Sequence, residues 1–362
     1  MRDPAATSKS YTALIPALDR TGPVNVAVDL ARAASQRGWK VKVLHLSTVR
    51  NPRDDLDFAS EVRPWRWSDL WQLHGVVHTH CLRPDLVGGL LSWNRRCKLI
   101  TTLHNFFLID VGFDHPRAYA FAAWLLWTRA IARYAHVVCI SEAMRRYYRR
   151  LLPGVRFEVV RNFRQAAAPG DSLAPAVSQW LNEQRRANRT VLAYAGSLSP
   201  RKNVVSLLDR IASRDDCALL VCGAGTAATE LESRALQLSI HDRLLLCGHV
   251  AVPSHHIARA DVLVLPSLAE GFPLVVLEAA SVGVPSLLSN IAVHREIAAL
   301  GFGVTFDHLR GIDFSGKLDV LLSESKAPDA ELQQLWLQQF SPDAGFARYH
   351  SLFESSLPAA IA

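Results

Sequence analysis

A chain of 362 residues is longer than one hydrophobic core accommodates, so two domains are expected, and 49% apolar against 20% charged residues excludes a disordered, fibrous or repeat protein. The formal charge of +7 points to an anionic partner such as a nucleotide or a phospholipid surface, or to solubility alone. No stretch reaches the ~18 apolar residues of a membrane span, the opening MRDPAATSKSYTALIPAL lacks the pattern of a secretory signal, and six cysteines without CxxC or zinc-ligand spacing favour the cytoplasm.

In chain order, YTALIPAL, KVKVLHL, GVVHTH, KLITTLHN, HVVCIS and FEVV read as short strands rich in β-branched residues with helix-length spacers between them. That alternation builds a parallel sheet covered on both faces. The loop after the first run, ALDRTGPVNV, places Gly22 ahead of Pro23 at the start of an amphipathic helix. Exposed amides there could meet a phosphate or an acceptor, and ordinary helix initiation explains the pattern equally well. RDDLD (Arg53 to Asp57) follows no clear strand and sits in a polar loop, which argues against a metal-binding Asp-x-Asp. His78 and His80 in HTH share a face as alternate strand residues do, with no third metal ligand evident. His104 ends its strand in TTLHN, where a neutral imidazole can hydrogen-bond a hydroxyl or serve as a satisfied structural group.

Two segments combine aromatic with basic residues: VRPWRWSDLW (Arg63, Trp65, Arg66, Trp67, Trp71) and LSWNRRCK, where Trp93 stands beside three cations. With the basic helix EAMRRYYRRLL they suit an anionic headgroup surface. AYAFAAWLLWTRAIARYA, broken by Arg129 and Arg133, reads as a buried or interfacial helix.

RQAAAPGDSLAPAV (Arg164 to Val177) reads as a linker, which sets the domains at 1–165 and 178–340. Beyond it TVLAYAG, CALLVCG, LLLCGH, DVLVLP, VPSLLS and GVTF repeat the alternation. Two Rossmann-like sheets are therefore expected to face each other across a cleft, with ligands beyond the carboxyl ends of the strands. In YAGSLSPRKNV a strand ends at Gly196 and the next loop presents Arg201 and Lys202, a planar fork beside a point charge that suits a diphosphate. A solvated basic loop is the plainer alternative. VCGAGTAATEL offers Gly223 and Gly225 without the full dinucleotide fingerprint, and GHV follows the next strand; tight turns explain both as well. EGFPLVVLEAASVGVP puts Glu270 in a loop at the mouth and Glu278 inside an apolar helix opened by Pro273. The amides of Gly271, Phe272 and Leu274 lie near the helix start, ready for negative charge or sugar hydroxyls. Glu278 fits a vicinal diol such as ribose. A helix-dipole partner at Glu270 and a structural ion pair at Glu278 would also account for the spacing.

Together GSLSPRKN, GAG, GHV, HVVCISEAMRRYY and the block DVLVLPSLAEGFPLVVLEAASVGVPSLLSN resemble the family-4 retaining glycosyltransferases, glycosyl transferases group 1. The resemblance implies a GT-B fold: α/β, two Rossmann-like domains with parallel sheets facing a central cleft. It is strongest from about Tyr194 to Glu296, and FSPDAGFARYHSLFES resembles the family's terminal helix, expected over about 341–362 and packing back on the first domain. By that resemblance Glu278 holds the nucleotide ribose, Glu270 contacts the donor sugar, and Arg201 and Lys202 stabilise the departing diphosphate. The amides of Gly271, Phe272 and Leu274 grip sugar hydroxyls, Gly196 belongs to the donor-binding set, and Gly22 lies near diphosphate and acceptor. His104 stands beside the sugar, and the Gly223 to Gly225 turn with His249 and Val250 contacts the base. Two departures stand out: RNFR puts Phe163 where the family carries a flexible glycine, and the first loop has the single Gly22 in place of Gly-Gly.

The implied activity is retaining transfer of a sugar from a nucleotide-diphosphate donor to a lipid-linked or saccharide acceptor in cell-surface polysaccharide or glycolipid biosynthesis, cytoplasmic and peripheral on the inner membrane. No essential metal or other cofactor is expected, since two fixed cations do for a diphosphate what Mg²⁺ does elsewhere. The alternatives are a GT-B nucleotide-sugar epimerase and a noncatalytic nucleotide-sugar-binding scaffold. Nucleic acid is not an expected partner, because no recognition motif accompanies the positive charge.

Overall fold

The computed structural model describes residues 9–109, 116–166, 173–311, 313–324 and 327–355. The first eight residues, the middle of the expected linker and the last seven residues of the expected terminal helix lie outside the described residues. The chain divides into two compact units, one formed by Met1–Gln165 with Phe340–Ala362 and the other by Ala166–Gln339.

The first unit is built on a seven-stranded sheet: β1 (Ser10–Ala17), β2 (Lys40–Ser47), β3 (Glu61–Pro64), β4 (Gly75–His80), β5 (Cys97–Leu103), β6 (His136–Cys139) and β7 (Phe157–Val159). Their order is β3-β2-β1-β4-β5-β6-β7, with every ladder parallel. The second unit's six strands are β8 (Thr190–Ala195), β9 (Cys217–Cys222), β10 (Leu244–Leu246), β11 (Val262–Leu265), β12 (Ser286–Ser289) and β13 (Val304–Phe306), ordered β10-β9-β8-β11-β12-β13 and likewise parallel. In both sheets the strand order reverses once, between β1 and β4 and between β8 and β11. These are the points where loops diverge beyond the strand ends and leave a crevice for ligand.

In the second sheet β9 and β11 are apolar along their whole length because helices cover both faces: all six residues of β9 and all four of β11 are buried. β3 carries no apolar run and was not foreseen. It is an edge strand whose Arg63 donates to Glu61 at 2.6 Å and to both oxygens of Asp69 at 2.9 and 2.7 Å, with Asp69 fully buried. Arg63 is therefore a structural cation, not part of a headgroup-binding surface. Lys98 is likewise engaged, donating to the Ser355 carbonyl. Trp65 is half-buried, whereas Trp67, Trp71 and Trp93 stand exposed, and Asn94 Nδ2 bridges their two loops by donating to the Leu70 and Leu73 carbonyls at 3.0 Å each. The Asp-x-Asp candidate is a loop whose Asp55 is clamped by Arg53 at 2.8 and 2.9 Å and whose Asp54 pairs with Arg20 at 2.8 Å. Bonds from Arg53 hold the Asp55 carboxyl down at about 2, so its charge is already matched without a metal. Among the described residues no helix is long and apolar enough to cross a membrane, and the most hydrophobic candidate forms the 15-residue helix Arg117–Ile131.

The helix Pro342–Ser355 belongs to the first unit and lays Phe346, Tyr349 and Phe353 into its core. Phe353 packs 5.2 Å from the Tyr11 ring and 5.6 Å from Trp39, and the Tyr349 hydroxyl bonds to Thr102 at 2.8 Å. Phe163 is completely buried beneath this helix. A Cβ at Gly345 would lie 2.1 Å from the Phe163 ring, so a glycine is needed there for the aromatic to fit. Gly345→Ala is expected to destabilise the protein by about 1–3 kcal/mol through overpacking, and the smaller ring substitute in Gly345→Ala/Phe163→Leu should recover part of that loss in urea denaturation. Equal stability of wild type and Gly345→Ala would contradict this packing.

Candidate functional site

The switch point of the second sheet gathers the charged residues singled out in the sequence. After β8 the chain makes a short turn, Pro200–Lys202, closed by Asn203 at φ 54°. Asparagine tolerates this left-handed conformation, and its side-chain amide donates to the Pro266 carbonyl at 3.3 Å. The loop after β11 answers: Leu268 N donates to the Arg201 carbonyl at 2.9 Å, and Arg201 Nη1 donates to the Ala269 carbonyl at 2.7 Å. The two loops are thus laced together, and the lacing places both cations on Glu270. Lys202 Nζ lies 2.5 Å from Glu270 Oε1, Arg201 Nη1 lies 3.7 Å from Oε2, and Ser267 Oγ donates to Oε1 at 2.8 Å.

Glu270 is 6% exposed. Burial alone would push its carboxyl up, but Lys202 beside it, with His294 and Arg201, outweighs burial and holds it below the ordinary carboxylate range. The acid is therefore charged, and removing Lys202 would leave this buried charge with only the more distant Arg201 to match it. Sequence reading missed the support behind it. Ser289, at the end of β12, donates to the Ser267 carbonyl at 2.6 Å and meets His294 Nδ1 at 2.8 Å. His294 lies on the helix Ala292–Ala299 and is fully buried. The only hint of it in the sequence is a histidine on the helix after a strand ending in Ser.

Glu278 reverses expectation. It sits on the helix Leu274–Ser281, after Pro273 at the cap, but is half-exposed, while Glu270 in the loop is the buried acid. That helix is apolar on the faces carrying Val276, Leu277, Ala279 and Ala280, and Glu278 falls between them on the open side. Phe272 is buried, with Gly271 and Leu274 half-buried at the helix mouth. Gly223 and Gly225 have a structural role of their own. A Cβ at Gly223 would come within 1.9 Å of the Gly196 carbonyl oxygen, and one at Gly225 within 2.3 Å of that of Leu198. The close backbone approach their glycines allow is made by the neighbouring loop of the same chain. His249 is exposed and Val250 half-buried, after Gly248 at φ 67°.

In the first unit Gly22 opens the helix Gly22–Ser35 beyond β1, exposed and without a side-chain cap. His104 follows β5 and bonds through Nε2 to His80 Nδ1 at 2.9 Å. The His80 ring lies tilted against that of His78, 4.3 Å between ring centres, and His78 bonds to the Tyr11 hydroxyl at 3.0 Å and to Thr102 at 2.8 Å. Loss of solvent keeps all three imidazoles neutral, His78 pushed down to about 3. A neutral imidazole can exchange hydrogen bonds with a hydroxyl without adding charge.

A family model described as "Glycosyl transferases group 1" matches residues 179–333, and one described as "Glycosyltransferase Family 4" matches residues 20–164. The chain belongs to this glycosyltransferase family, and its paired parallel sheets are those of the GT-B fold. Its curated relatives include the O-antigen biosynthesis glycosyltransferase WclY of Escherichia coli, 24% identical over 225 residues, covering 61% of this chain and 63% of that protein. Another is the UDP-Gal:alpha-D-GlcNAc-diphosphoundecaprenol alpha-1,3-galactosyltransferase of Escherichia coli, 30% identical over 234 residues, covering 60% of this chain and 58% of that one. The chain spans about three fifths of the length of these curated relatives. Among solved structures, Anabaena Alr3699/HepE in complex with UDP superposes with a TM-score of 0.75 at 18% identity, covering 96% of this chain and 100% of that one. The two share their fold at that identity.

His294 makes the site sensitive to acid. Burial holds it at about 4, against the partial pull of Glu270 in the other direction, while a free imidazole titrates near 6.5. As pH falls from 6.5 towards 4 the unfolded chain binds a proton at this residue and the folded protein does not. Its stabilising contribution is therefore fully present above about 6.5 and is lost through that window, on the order of 3 kcal/mol. Urea-denaturation midpoints should fall between pH 7 and 4, with a shallower fall in His294→Asn. Identical slopes in the two proteins would show that His294 does not titrate as described.

Proposed function

We propose that this chain is a retaining, metal-independent glycosyltransferase that moves a sugar from a uridine diphosphate donor to a lipid-linked or saccharide acceptor during assembly of a cell-surface polysaccharide. The observation that carries this reading is the buried Glu270 carboxylate held between Lys202 at 2.5 Å and Arg201 at 3.7 Å beside the switch point of the second sheet. Breaking the bond between the sugar's anomeric carbon and the diphosphate leaves the electron pair on a phosphate oxygen. Cations fixed beforehand in a partly dry site stabilise that charge without reorganising. In this reading Lys202 and Arg201 face the leaving group, Glu270 orients them and the sugar, and Glu278 takes the ribose diol. Amides at Gly271, Phe272 and Leu274 meet sugar hydroxyls, Gly22 and Gly196 leave room for the diphosphate, and the turns at Gly223, Gly225, His249 and Val250 border the base. Neutral His104 hydrogen-bonds the sugar.

Retention requires either a covalent sugar–enzyme intermediate or attack from the face the diphosphate leaves. A carboxylate already engaged by Lys202 and Ser267 is a poor nucleophile, which favours the second route. UDP as the donor nucleotide is supported by the UDP in the Anabaena complexes, and both UDP and a diphosphoundecaprenol acceptor by the name of the Escherichia coli galactosyltransferase. Peripheral contact with an anionic membrane is part of the proposal, supported by Trp67, Trp71 and Trp93 standing exposed with Arg66, Arg95 and Arg96 in the same two loops.

Purified protein given UDP-glucose, UDP-galactose and UDP-N-acetylglucosamine with a lipid acceptor extract is expected to release UDP from one of them. The product should keep the donor's anomeric configuration by NMR, and Mg²⁺ or Mn²⁺ added to chelator-treated protein should not raise the rate. Lys202→Ala and Glu270→Gln, checked for folding by circular dichroism, should each lower kcat/KM by roughly 10²–10³-fold. Tight nucleotide binding with no turnover of any donor would leave a binding protein instead. Separately, replacing Trp67, Trp71 and Trp93 by serine should reduce co-sedimentation with anionic vesicles, and unchanged co-sedimentation would remove these loops from any membrane role.

A further inference from the structure

The second sheet ends in a side-chain cluster that chain spacing conceals. β9 and β10 run parallel with Leu246 opposite Val221, and Cys247 N donates to the Val221 carbonyl at 2.8 Å. One rung further on, Cys222 closes β9 and Cys247 follows β10, twenty-five positions apart in sequence but side by side in the sheet. The short helix Pro253–Ile257 then returns His256 to the same place. The two sulfurs and a ring nitrogen of His256 all lie within 4.8 Å of one another. Cys222 is buried, while Cys247 and His256 are half-buried, so the cluster opens to solvent on one side. His256 Nδ1 is buried without a hydrogen-bond partner. An imidazole nitrogen shut from water and left unpaired carries a desolvation cost that a ligand would remove.

We propose that Cys222, Cys247 and His256 form a zinc site. Two thiolates and one imidazole are a donor set this ion accepts, and three protein ligands leave its fourth position for water or another ligand. The distances suit it. Tetrahedral bonds of about 2.3 Å to sulfur and about 2.0 Å to nitrogen put such donors roughly 3.5–3.8 Å apart, inside the 4.8 Å within which the three donor atoms already lie. Carboxylates are absent from the set, which disfavours Mg²⁺ and Ca²⁺. None of the three residues shares a hydrogen bond or ion pair with Glu270, Lys202 or Arg201 among the described contacts, so the ion is separate from the proposed transfer chemistry. Its effect is mechanical: Gly223 and Gly248 directly follow the two cysteines, so zinc would pin the two turns that extend from these strands.

The test uses tag-free protein, reduced, stripped with chelator and desalted. Titrated with Co²⁺, it is expected to take up one equivalent with thiolate-to-cobalt charge-transfer absorption and tetrahedral visible bands, both abolished by Zn²⁺. Zinc should also protect two of the six cysteines from a thiol reagent. Cys247→Ser and His256→Ala, both at half-buried positions, should each bind zinc roughly tenfold or more weakly, whereas Cys97→Ser in the other unit should bind as wild type does. Cobalt spectra without thiolate charge transfer, zinc affinity unchanged in Cys247→Ser, or a Cys222–Cys247 disulfide in the metal-free protein under reducing conditions would each overturn the assignment.

Discussion

The second unit's site depends on keeping one carboxylate charged while it is shut away from water. An isolated ionised carboxyl in that position would cost several kcal/mol by rough estimate, so Glu270 can exist only if its loop is delivered together with the cations. The lacing of the two loops does this. The same stretch that carries Lys202 accepts a bond from Leu268 through the Arg201 carbonyl, and the Arg201 side chain holds the Ala269 carbonyl next to Glu270. The acid and its partners are consequently set before any ligand arrives. Preorganisation of this kind is what electrostatic catalysis needs, because no binding energy is then spent on turning dipoles at the moment of reaction.

The first unit makes the opposite choice on the central strands of its sheet. Its polar residues form a neutral chain, from the Tyr11 hydroxyl through His78 and Thr102 to Tyr349. A separate contact joins His80 to His104. Burial keeps the imidazoles uncharged, so the chain can be dry without counter-ions. Its last member, Tyr349, comes from the helix Pro342–Ser355, far along the sequence. That helix therefore fixes the hydrogen bonding of residues on the first sheet's central strands as well as covering its core, which couples the position of this late segment to the orientation of His78.

The strands were legible because buried parallel strands concentrate apolar and β-branched residues, and twelve of the thirteen strands among the described residues lie in such runs. β3 escaped because an edge strand in a polar setting can be held by backbone bonds and an Arg63–Asp69 pair, neither of which leaves an apolar run. At the site, the charged residues were readable by type and spacing, but burial was not. Helix periodicity cannot say which face of Leu274–Ser281 meets the sheet, and it placed Glu278 inside when the covered faces are those of Val276, Leu277, Ala279 and Ala280. Ser267, Ser289 and His294 were invisible for a different reason: Ser267 follows β11 while Ser289 and His294 belong to the end of β12 and the helix after it, and only the β11–β12 pairing brings the two segments together. The cysteine pair was hidden in the same way, since strand adjacency replaces the short spacing by which metal ligands are usually read.

Phe163 shows how a departure from a family pattern can be a substitution of one physical role for another. A glycine at this point would leave the backbone after β7 with wide conformational freedom. Phe163 instead anchors it. The ring is completely buried, lies 6.3 Å from that of Tyr349, and presses on Gly345 so closely that a methyl group there would collide with it. Rotating the backbone at 163 would pull the ring from its pocket and expose most of an aromatic side chain, a change worth about 1.5–3 kcal/mol in lost burial. The chain also holds its neighbour, since Arg164 N donates to the Phe340 carbonyl at 3.0 Å and its guanidinium pairs with the buried Asp29 at 3.2 Å. The segment that leaves the first sheet is thus clamped to the one that returns to it, and Gly345 on the returning helix makes room for the Phe163 ring.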